Sequence, residues 1–235
     1  MPPVRRFTKL RPKQPLLSVK SLKKHFPVGE WQFSRKRETV KAVDGIDFSV
    51  MAGDTLGIVG ESGCGKSTVA RLLLRLIPAT AGEVRFRDLD LFSLNRQQMK
   101  GVRKNLQIIF QDPFSSMDPR KTIGQIIAEP LNVHRVGSRQ ERKEKVSLLM
   151  ERVSVSKQWA NRYPHEFSGG QRQRIIIARA LALNPSVVIC DEPVSALDVS
   201  IQAQVLNLLK QLQQEMGLTY LFISHDLSVV KHISS

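Results

Sequence analysis

One loop constrains the fold of this chain more than any other segment. Gly60-Glu61-Ser62-Gly63-Cys64-Gly65-Lys66-Ser67 fits the pattern Gly, four residues, Gly, Lys and then Ser or Thr, and it lies between a predicted strand (Thr55–Val59) and a predicted helix (67–76). Glycines let the backbone N–H groups and the amino end of the helix surround phosphate. Lys66 adds a positive charge toward the β- and γ-phosphates of a nucleotide, and the Ser67 hydroxyl offers a ligand for Mg²⁺. The sequence therefore predicts a nucleotide-binding loop.

A second candidate segment is an apolar strand that ends in two carboxylates. Residues 187–190 are apolar, and Asp191 and Glu192 follow them directly. If this strand lies beside the loop, Asp191 reaches the Mg²⁺ shell and Glu192 can orient and deprotonate water. Taken alone, the segment is equally typical of an ordinary strand followed by a polar turn at Pro193. The nucleotide-binding loop favours the catalytic interpretation.

A third segment, Phe-Ser-Gly-Gly-Gln at 167–171, opens a helix that is rich in arginine. Ser168 and the glycine backbone at the amino end of a helix form a second anion-binding feature, which the first loop does not require. Small GTPases and kinases need nothing of this kind. The nucleotide is therefore predicted to lie between two protein faces.

The hydrophobic pattern predicts an α/β chain. Short apolar runs at 106–110, 187–190 and 219–224 are typical of strands in a sheet covered on both faces. Between the last two runs, one helical stripe contains Ile201, Val205, Leu208, Leu209 and Leu212. Strand, helix and strand in that order favour parallel pairing. Residues of about 123–165 are helical in pattern and predict an inserted helical subdomain.

The charge of the chain is unevenly distributed. Lys and Arg number 36 against 21 Asp and Glu, which gives a formal net charge of +15, and most of the excess lies in residues 1–41. Residues 1–15 combine four prolines with five basic residues and predict a basic flexible leader. A solvated arm is the first interpretation of this charge, and contact with anionic lipid headgroups is the alternative.

The remaining composition is that of a soluble, cytosolic globular chain. No apolar run approaches the ~20 residues needed to cross a bilayer, and the N-terminus lacks the apolar core of a secretory signal. Cys64 and Cys190 form neither a disulfide framework nor a metal-ligand spacing, so both are predicted to be reduced thiols.

Taken together, the motifs closely resemble those of the ABC ATPases. Residues 167–171 look like the family signature, Gln111 resembles the Q-loop glutamine, Ser195 to Asp198 resemble the D-loop, and His225 resembles the switch histidine. They occur in the family's order between about residue 16 and the end of the chain. The resemblance implies an ABC ATP-binding domain over 16–235. The implied domain has a P-loop NTPase core with a largely parallel sheet, an N-terminal antiparallel β portion and the helical subdomain.

The resemblance also implies ATP and Mg²⁺ as ligands, and an ATPase that is complete only as a dimer. The residues that it assigns to catalysis are Lys66, Gln111, Glu192 and His225. Those assigned to Mg²⁺ are Ser67, Gln111 and Asp191. Those assigned to ATP are Gly60 to Thr68 and, from the facing subunit, Ser168, Gly169, Gly170 and Gln171. Ser195 and Asp198 are assigned to the D-loop. The family's adenine platform is an aromatic residue near the N-terminus, for which Phe26 matches best and Trp31 and Phe33 are rivals.

Within the family, residues 110–120, 126–131 and 162–167 look like those of oligopeptide, dipeptide and nickel importers, and glutathione-type importers share them. This resemblance implies a peripheral subunit at the cytoplasmic face of a bacterial inner membrane that energises uptake of peptides or a related solute. The expected partners are a second ATPase subunit, identical or different, two transmembrane permease subunits and an extracytoplasmic solute-binding protein, with no specific nucleic acid. The C-terminal part of the family's domain is expected to be missing after residue 235.

Two alternatives stay open at this point. One is a non-transport ABC ATPase that acts on nucleic acid or ribosomes, which the positive charge superficially favours; however, the chain lacks both the long heptad coiled coils and the second motor of such proteins. The other is a regulatory nucleotide-binding module without turnover. The presence of Lys66, Gln111, Glu192 and His225 argues against that module.

Overall fold

In the computed structural model of the chain, residues 14–27 and 39–234 are described, and they form two sheets and seven α-helices. The parallel sheet has the strand order β3 (Thr55–Val59), β8 (Thr219–Ser224), β7 (Val187–Asp191) and β6 (Leu106–Ile109). The antiparallel sheet has the order β2 (Thr39–Val50), β1 (Leu17–Pro27), β4 (Ala81–Phe86) and β5 (Leu89–Asp90). The predicted α/β fold, with a largely parallel sheet and an antiparallel N-terminal portion, is confirmed.

The helices lie between and beside these strands. They are α1 (Lys66–Leu73), α2 (Arg96–Val102), α3 (Ile123–Val133), α4 (Arg139–Arg152), α5 (Gly169–Leu181), α6 (Val199–Met216) and α7 (Leu227–Ser234). Two short 3-10 helices, Lys157–Asn161 and Pro164–Glu166, follow α4, so the range 123–165 is helical. Helices α3 and α4 begin where they do because Thr122 and Ser138 each form a capping box with the residue three positions later.

The parallel sheet is buried on both faces, because side chains of β7 and β8 alternate between two cores. One core packs under α3 to α6 and includes Val188, Cys190, Tyr220 and Phe222. The other lies against α1 and the antiparallel sheet and includes Val187, Ile189, Leu221 and Ile223. Full burial of such side chains contributes ~1.5–3 kcal/mol each. The continuous apolar runs in the sequence follow from this two-sided burial.

Several element boundaries differ from the sequence prediction, most clearly those of α1 and β2. Helix α1 ends at Leu73 rather than at 76, because Arg75 adopts a left-handed conformation (φ 50) and the Arg103 guanidinium donates to the Leu74 carbonyl at 3.0 and 3.1 Å. The apolar residues near Ile46 to Val50 predict a short strand there, whereas β2 begins at Thr39, because it continues to pair with β1 as far as Pro27.

Some predictions fall on residues that the structure does not describe. The basic leader lies outside the described residues except for residues 14 and 15, and Trp31 and Phe33 also lie outside them. Across 14–27 and 39–234, every helix is too short or too polar to cross a bilayer.

Candidate functional site

The carboxyl ends of the four parallel strands bring the predicted nucleotide-binding loop and the predicted catalytic residues to one edge of the sheet. Strand β3 leads into the loop that starts at Gly60, β6 is followed by Gln111, β7 ends at Asp191, and β8 is followed by His225. Parallel strands have their carboxyl ends on the same side, so segments that are distant in sequence meet there. Ligands of open α/β sheets bind at this edge.

The nucleotide-binding loop encloses the Lys66 side chain. Lys66 is 6% exposed, and its ammonium donates to the carbonyls of Gly60 at 2.7 Å and Glu61 at 2.6 Å. Gly65 precedes α1 with a φ of 99. The loop therefore holds a buried cation close to the amino end of a helix, an arrangement that favours a bound anion.

Gly65→Ala is expected to lower the free energy of unfolding more than Gly63→Ala. Both residues have positive φ, 99 and 82, so either substitution costs ~1–2 kcal/mol of backbone strain. A Cβ at Gly65 would also lie 1.9 Å from the Ala42 carbonyl oxygen on β2, whereas a Cβ at Gly63 meets nothing within 4 Å. Urea unfolding of the two variants measures the difference. Equal losses would contradict the close approach of β2 to this loop.

Ser67 and Asp191 form a pair of oxygen ligands suited to Mg²⁺. The Ser67 hydroxyl donates to Asp191 Oδ1 at 2.9 Å, and Asp191 is 4% exposed at the end of β7. Burial raises the pKa of the Asp191 carboxyl, and the hydrogen bond from Ser67 opposes this shift. A buried carboxylate gains from a neighbouring cation, and Mg²⁺ prefers hard oxygen ligands. The residues present therefore fit the metal that the sequence predicts.

Glu192 lies at the centre of the predicted catalytic residues. Its Oε2 accepts a hydrogen bond from Gln111 Nε2 at 3.1 Å and lies 3.2 Å from His225 Nδ1, while its Oε1 lies 3.9 Å from the Lys66 ammonium. Glu192 has a φ of 49, and its N–H donates to the Ile223 carbonyl at 3.0 Å, which ties this turn to β8. The structure thus brings all four residues together. Gln111 contacts Glu192 rather than the Ser67–Asp191 pair.

The D-loop residues occupy different environments. The Ser195 hydroxyl donates to the Glu192 carbonyl at 3.1 Å, so Ser195 lies directly beside the catalytic candidate. Asp198 is exposed and precedes the first turn of α6. A small pocket between these elements is lined by Glu192, Ser195 and His225 and also by Gln202 and Asp226. The sequence did not point to Gln202 and Asp226. Their only sequence signal is position, because Gln202 lies shortly after the D-loop and Asp226 directly follows the switch histidine.

The signature residues form the start of α5. The Ser168 hydroxyl accepts a hydrogen bond from the Gln171 N–H at 3.4 Å, and the Gln171 side chain accepts one from the Ser168 N–H at 3.0 Å. A Cβ at Gly170 would lie 2.5 Å from Ile201 Cγ2, so Gly170 allows close packing against α6. Ser168 and Gly169 are exposed. The hydrogen bonds of this cap stay within the signature and do not reach Lys66 or Glu192.

Phe26 lies on the pair of strands that contacts the nucleotide-binding loop. It pairs with Val40 on β2, two residues from Ala42, whose carbonyl oxygen would lie 1.9 Å from a Cβ at Gly65. Its side chain is exposed, and the Lys24 ammonium lies 4.8 Å from the centre of its ring. Stacking of adenine on Phe26 stays a prediction.

Comparison with known proteins identifies close relatives. The chain is 59% identical over 93% of its length to the oligopeptide transport ATP-binding protein AppF of Bacillus subtilis, and spans 67% of that protein. It is 56% identical over 93% of its length to the oligopeptide transport ATP-binding protein OppF of Escherichia coli, and spans 66% of it. The chain thus covers about two thirds of the length of these relatives.

A solved structure and a family model agree with these relatives. The dimeric post-hydrolysis structure of the ATP-binding cassette MJ0796, bound to ADP and Pi, has a TM-score of 0.80 and 29% identity, covering 92% of this chain and 90% of that one. The family model described as ABC transporter matches residues 43–195, which include the nucleotide-binding loop, the signature and the end of β7. The predicted resemblance to ABC ATPases is confirmed: the chain belongs to the ABC transporter family, as one of its ATP-binding cassettes.

Proposed function

We propose that the chain is the ATP-hydrolysing subunit of an ABC importer that energises uptake of oligopeptides or a related small solute. The observation that carries this proposal is the position of Glu192 among Lys66, Gln111 and His225 at the carboxyl edge of the parallel sheet. Two relatives are named as oligopeptide transport proteins, which supports import over an action on nucleic acid or ribosomes. The subunit works as a peripheral protein at the cytoplasmic face of the bacterial inner membrane.

One half of the catalytic site comes from the chain's own loop and strand ends. Lys66 exchanges its carbonyl partners for the β- and γ-phosphates of ATP. Ser67 and Asp191 would hold Mg²⁺, which would neutralise phosphate charge when bound. Glu192 accepts the proton of the attacking water, and Gln111 and His225 hold its carboxylate in place.

The other half of the site comes from a facing ATPase subunit. Ser168 to Gln171 of that subunit present a helix amino end to the γ-phosphate, as the exposed cap of α5 allows. The likeness to a cassette solved as a dimer with ADP and Pi supports this arrangement. ATP then stabilises the closed dimer because both subunits bind it, and hydrolysis weakens the dimer.

The permease subunits contact the surface around the Q-loop turn, defined here as residues 111–117. Phe114 is 52% exposed and its ring lies 5.2 Å from the Arg172 guanidinium. Tyr163 is 41% exposed and stacks on His165, and the carbonyl of Pro164 between them accepts a hydrogen bond from Arg172 Nε at 2.8 Å. Exposed aromatic and arginine side chains are enriched at protein interfaces. Together with the extracytoplasmic solute-binding protein, the permeases complete the importer.

The importer function is tested by peptide uptake into proteoliposomes. The chain is produced together with the permease subunits of the same gene cluster, reconstituted, and supplied with ATP, the solute-binding protein and a labelled oligopeptide. We expect ATP-dependent uptake, and an ATPase rate that rises when the loaded binding protein is added. ATP hydrolysis by the assembled complex without uptake of peptides or related solutes would refute the importer while leaving the ATPase in place.

A further inference from the structure

Helix α5 is bonded to the Q-loop turn through an arginine in its last turn. The Arg179 guanidinium donates through Nη1 to the carbonyl oxygen of Ser116. Burial lowers the pKa of Arg179, and the charge of Glu129 on α3 opposes this shift. Glu129 also pairs with Lys121 at 2.6 Å. Arg179 is thus a partly buried cation whose donor is directed at the backbone of this turn.

The Q-loop turn is held together by its own hydrogen bonds. Asp112 Oδ1 accepts from the Phe114 N–H at 2.8 Å, the Ser116 hydroxyl donates to the Asp112 carbonyl at 2.8 Å, and the Met117 N–H donates to the Phe114 carbonyl at 3.2 Å. Met117 is 5% exposed and anchors the end of the turn in the core. A displacement at Ser116 therefore reaches Asp112, to which Ser116 is hydrogen-bonded and which directly follows Gln111 in the chain.

A second arginine of α5 contacts the same turn. The Arg172 guanidinium lies 5.2 Å from the centre of the Phe114 ring, and Arg172 Nε donates to the Pro164 carbonyl at 2.8 Å. Arg172 and Arg179 are seven residues apart, which is about two helical turns, so both lie on one face of α5. The helix that begins at Ser168 is thus attached to the turn at two points.

We infer that Arg179 is a positioning residue for ATP hydrolysis: by holding the Ser116 carbonyl, it fixes the turn that presents Gln111 to Glu192. Arg179 lies on the helix that starts with the signature, and the signature faces the nucleotide bound by the other subunit. Arg179 therefore also links the catalytic residues of its own subunit to that signature surface. The inference rests on the proposed function. It adds to that function a residue that contacts neither nucleotide nor Glu192.

Arg179→Met tests the inference, because the methionine side chain is unbranched and similar in length to the aliphatic part of arginine but has no hydrogen-bond donor. We expect kcat for ATP hydrolysis to fall about 2- to 30-fold, the range found for residues that couple distant sites, while the Kd for ATP stays unchanged. Arg179→Lys retains one charged donor and should restore part of the rate. The matched control is Arg142→Met, since Arg142 Nε also donates to a backbone carbonyl, that of Val136 at 2.8 Å, in the helical region. This control should keep the parent kcat.

The readout that separates positioning from general destabilisation is a double-mutant cycle with Gln111→Ala. If Arg179 acts through Gln111, then Arg179→Met has no further effect on kcat when Gln111 is already alanine. Equal fold-losses in both backgrounds, or the parent kcat in Arg179→Met, would overturn the inference. Should Arg179→Met fail to fold in a thermal melt, Arg179→Leu, which also lacks the donor, enters the same cycle under the same criteria. A parent chain that does not hydrolyse ATP would instead count against the proposed function.

Discussion

Glu192→Gln is expected to lower kcat for ATP hydrolysis by about 10²–10⁴-fold, the usual cost of losing a positioned general base. The substitution keeps the shape of a side chain that is 12% exposed and bonded to Gln111 at 3.1 Å, so the fold and the nucleotide-binding loop should remain intact. It also removes a negative charge close to Lys66 and the bound γ-phosphate. The affinity for ATP should therefore persist or increase.

Two measurements check this expectation. Steady-state hydrolysis gives kcat, and size-exclusion chromatography with Mg-ATP shows whether the variant accumulates as a closed dimer. Glu215→Gln is the matched control, because Glu215 is an exposed carboxylate on α6 that pairs with Gln211 at 2.7 Å, away from the sheet edge. Hydrolysis by Glu192→Gln at the parent rate would show that Glu192 is not the base.

If the chain pairs with itself, a mixture of Lys66→Ala and Ser168→Arg chains is expected to recover ATPase activity that each variant lacks alone. Lys66→Ala removes the buried cation that faces the phosphates, and Ser168→Arg places a long side chain where the facing subunit's nucleotide is bound. In a mixed dimer, Lys66 of one chain and Ser168 of the other form one intact site. With equal amounts and random pairing, the mixture should reach about a quarter of the parent rate, because about half of the dimers are mixed and each has one intact site of two.

The control for this mixture combines Lys66→Ala chains with chains that carry both substitutions, since no pairing among them contains Lys66. Loss of the Ser168 cap costs about 1 kcal/mol of helix stability, so thermal melts should show that both variants stay folded. Mixed dimers demonstrated by cross-linking of differently tagged chains, yet inactive, would contradict a site shared between subunits. Activity of Lys66→Ala alone would contradict the role of the loop.

The parallel sheet was largely predictable because its strands are short, mostly apolar runs bounded by turns. The bounds of β3 and β8 match the prediction, and Gly60 to Ser67 identified the loop by its spacing. What the sequence could not show depends on contacts between distant residues. Arg103 ends α1 from 29 positions away, and Gln111 reaches Glu192 across 81 positions. No local pattern marks the Arg179 bond to Ser116, because a backbone carbonyl acceptor carries no sequence signal.

The two oxygens of the Glu192 carboxylate are not equivalent. Oε2 accepts from Gln111 and faces His225 Nδ1, which together occupy both of its lone-pair directions when the histidine donates. Across the described ranges, the side-chain hydrogen bonds to this carboxylate all go to Oε2, and Oε1 lies 3.9 Å from the Lys66 ammonium, beyond hydrogen-bonding distance. One oxygen therefore anchors the side chain and the other is left to take the proton. In Glu192→Gln, the amide oxygen is drawn to the anchoring position and the NH₂ group turns toward the water, so the site presents a donor where catalysis requires an acceptor.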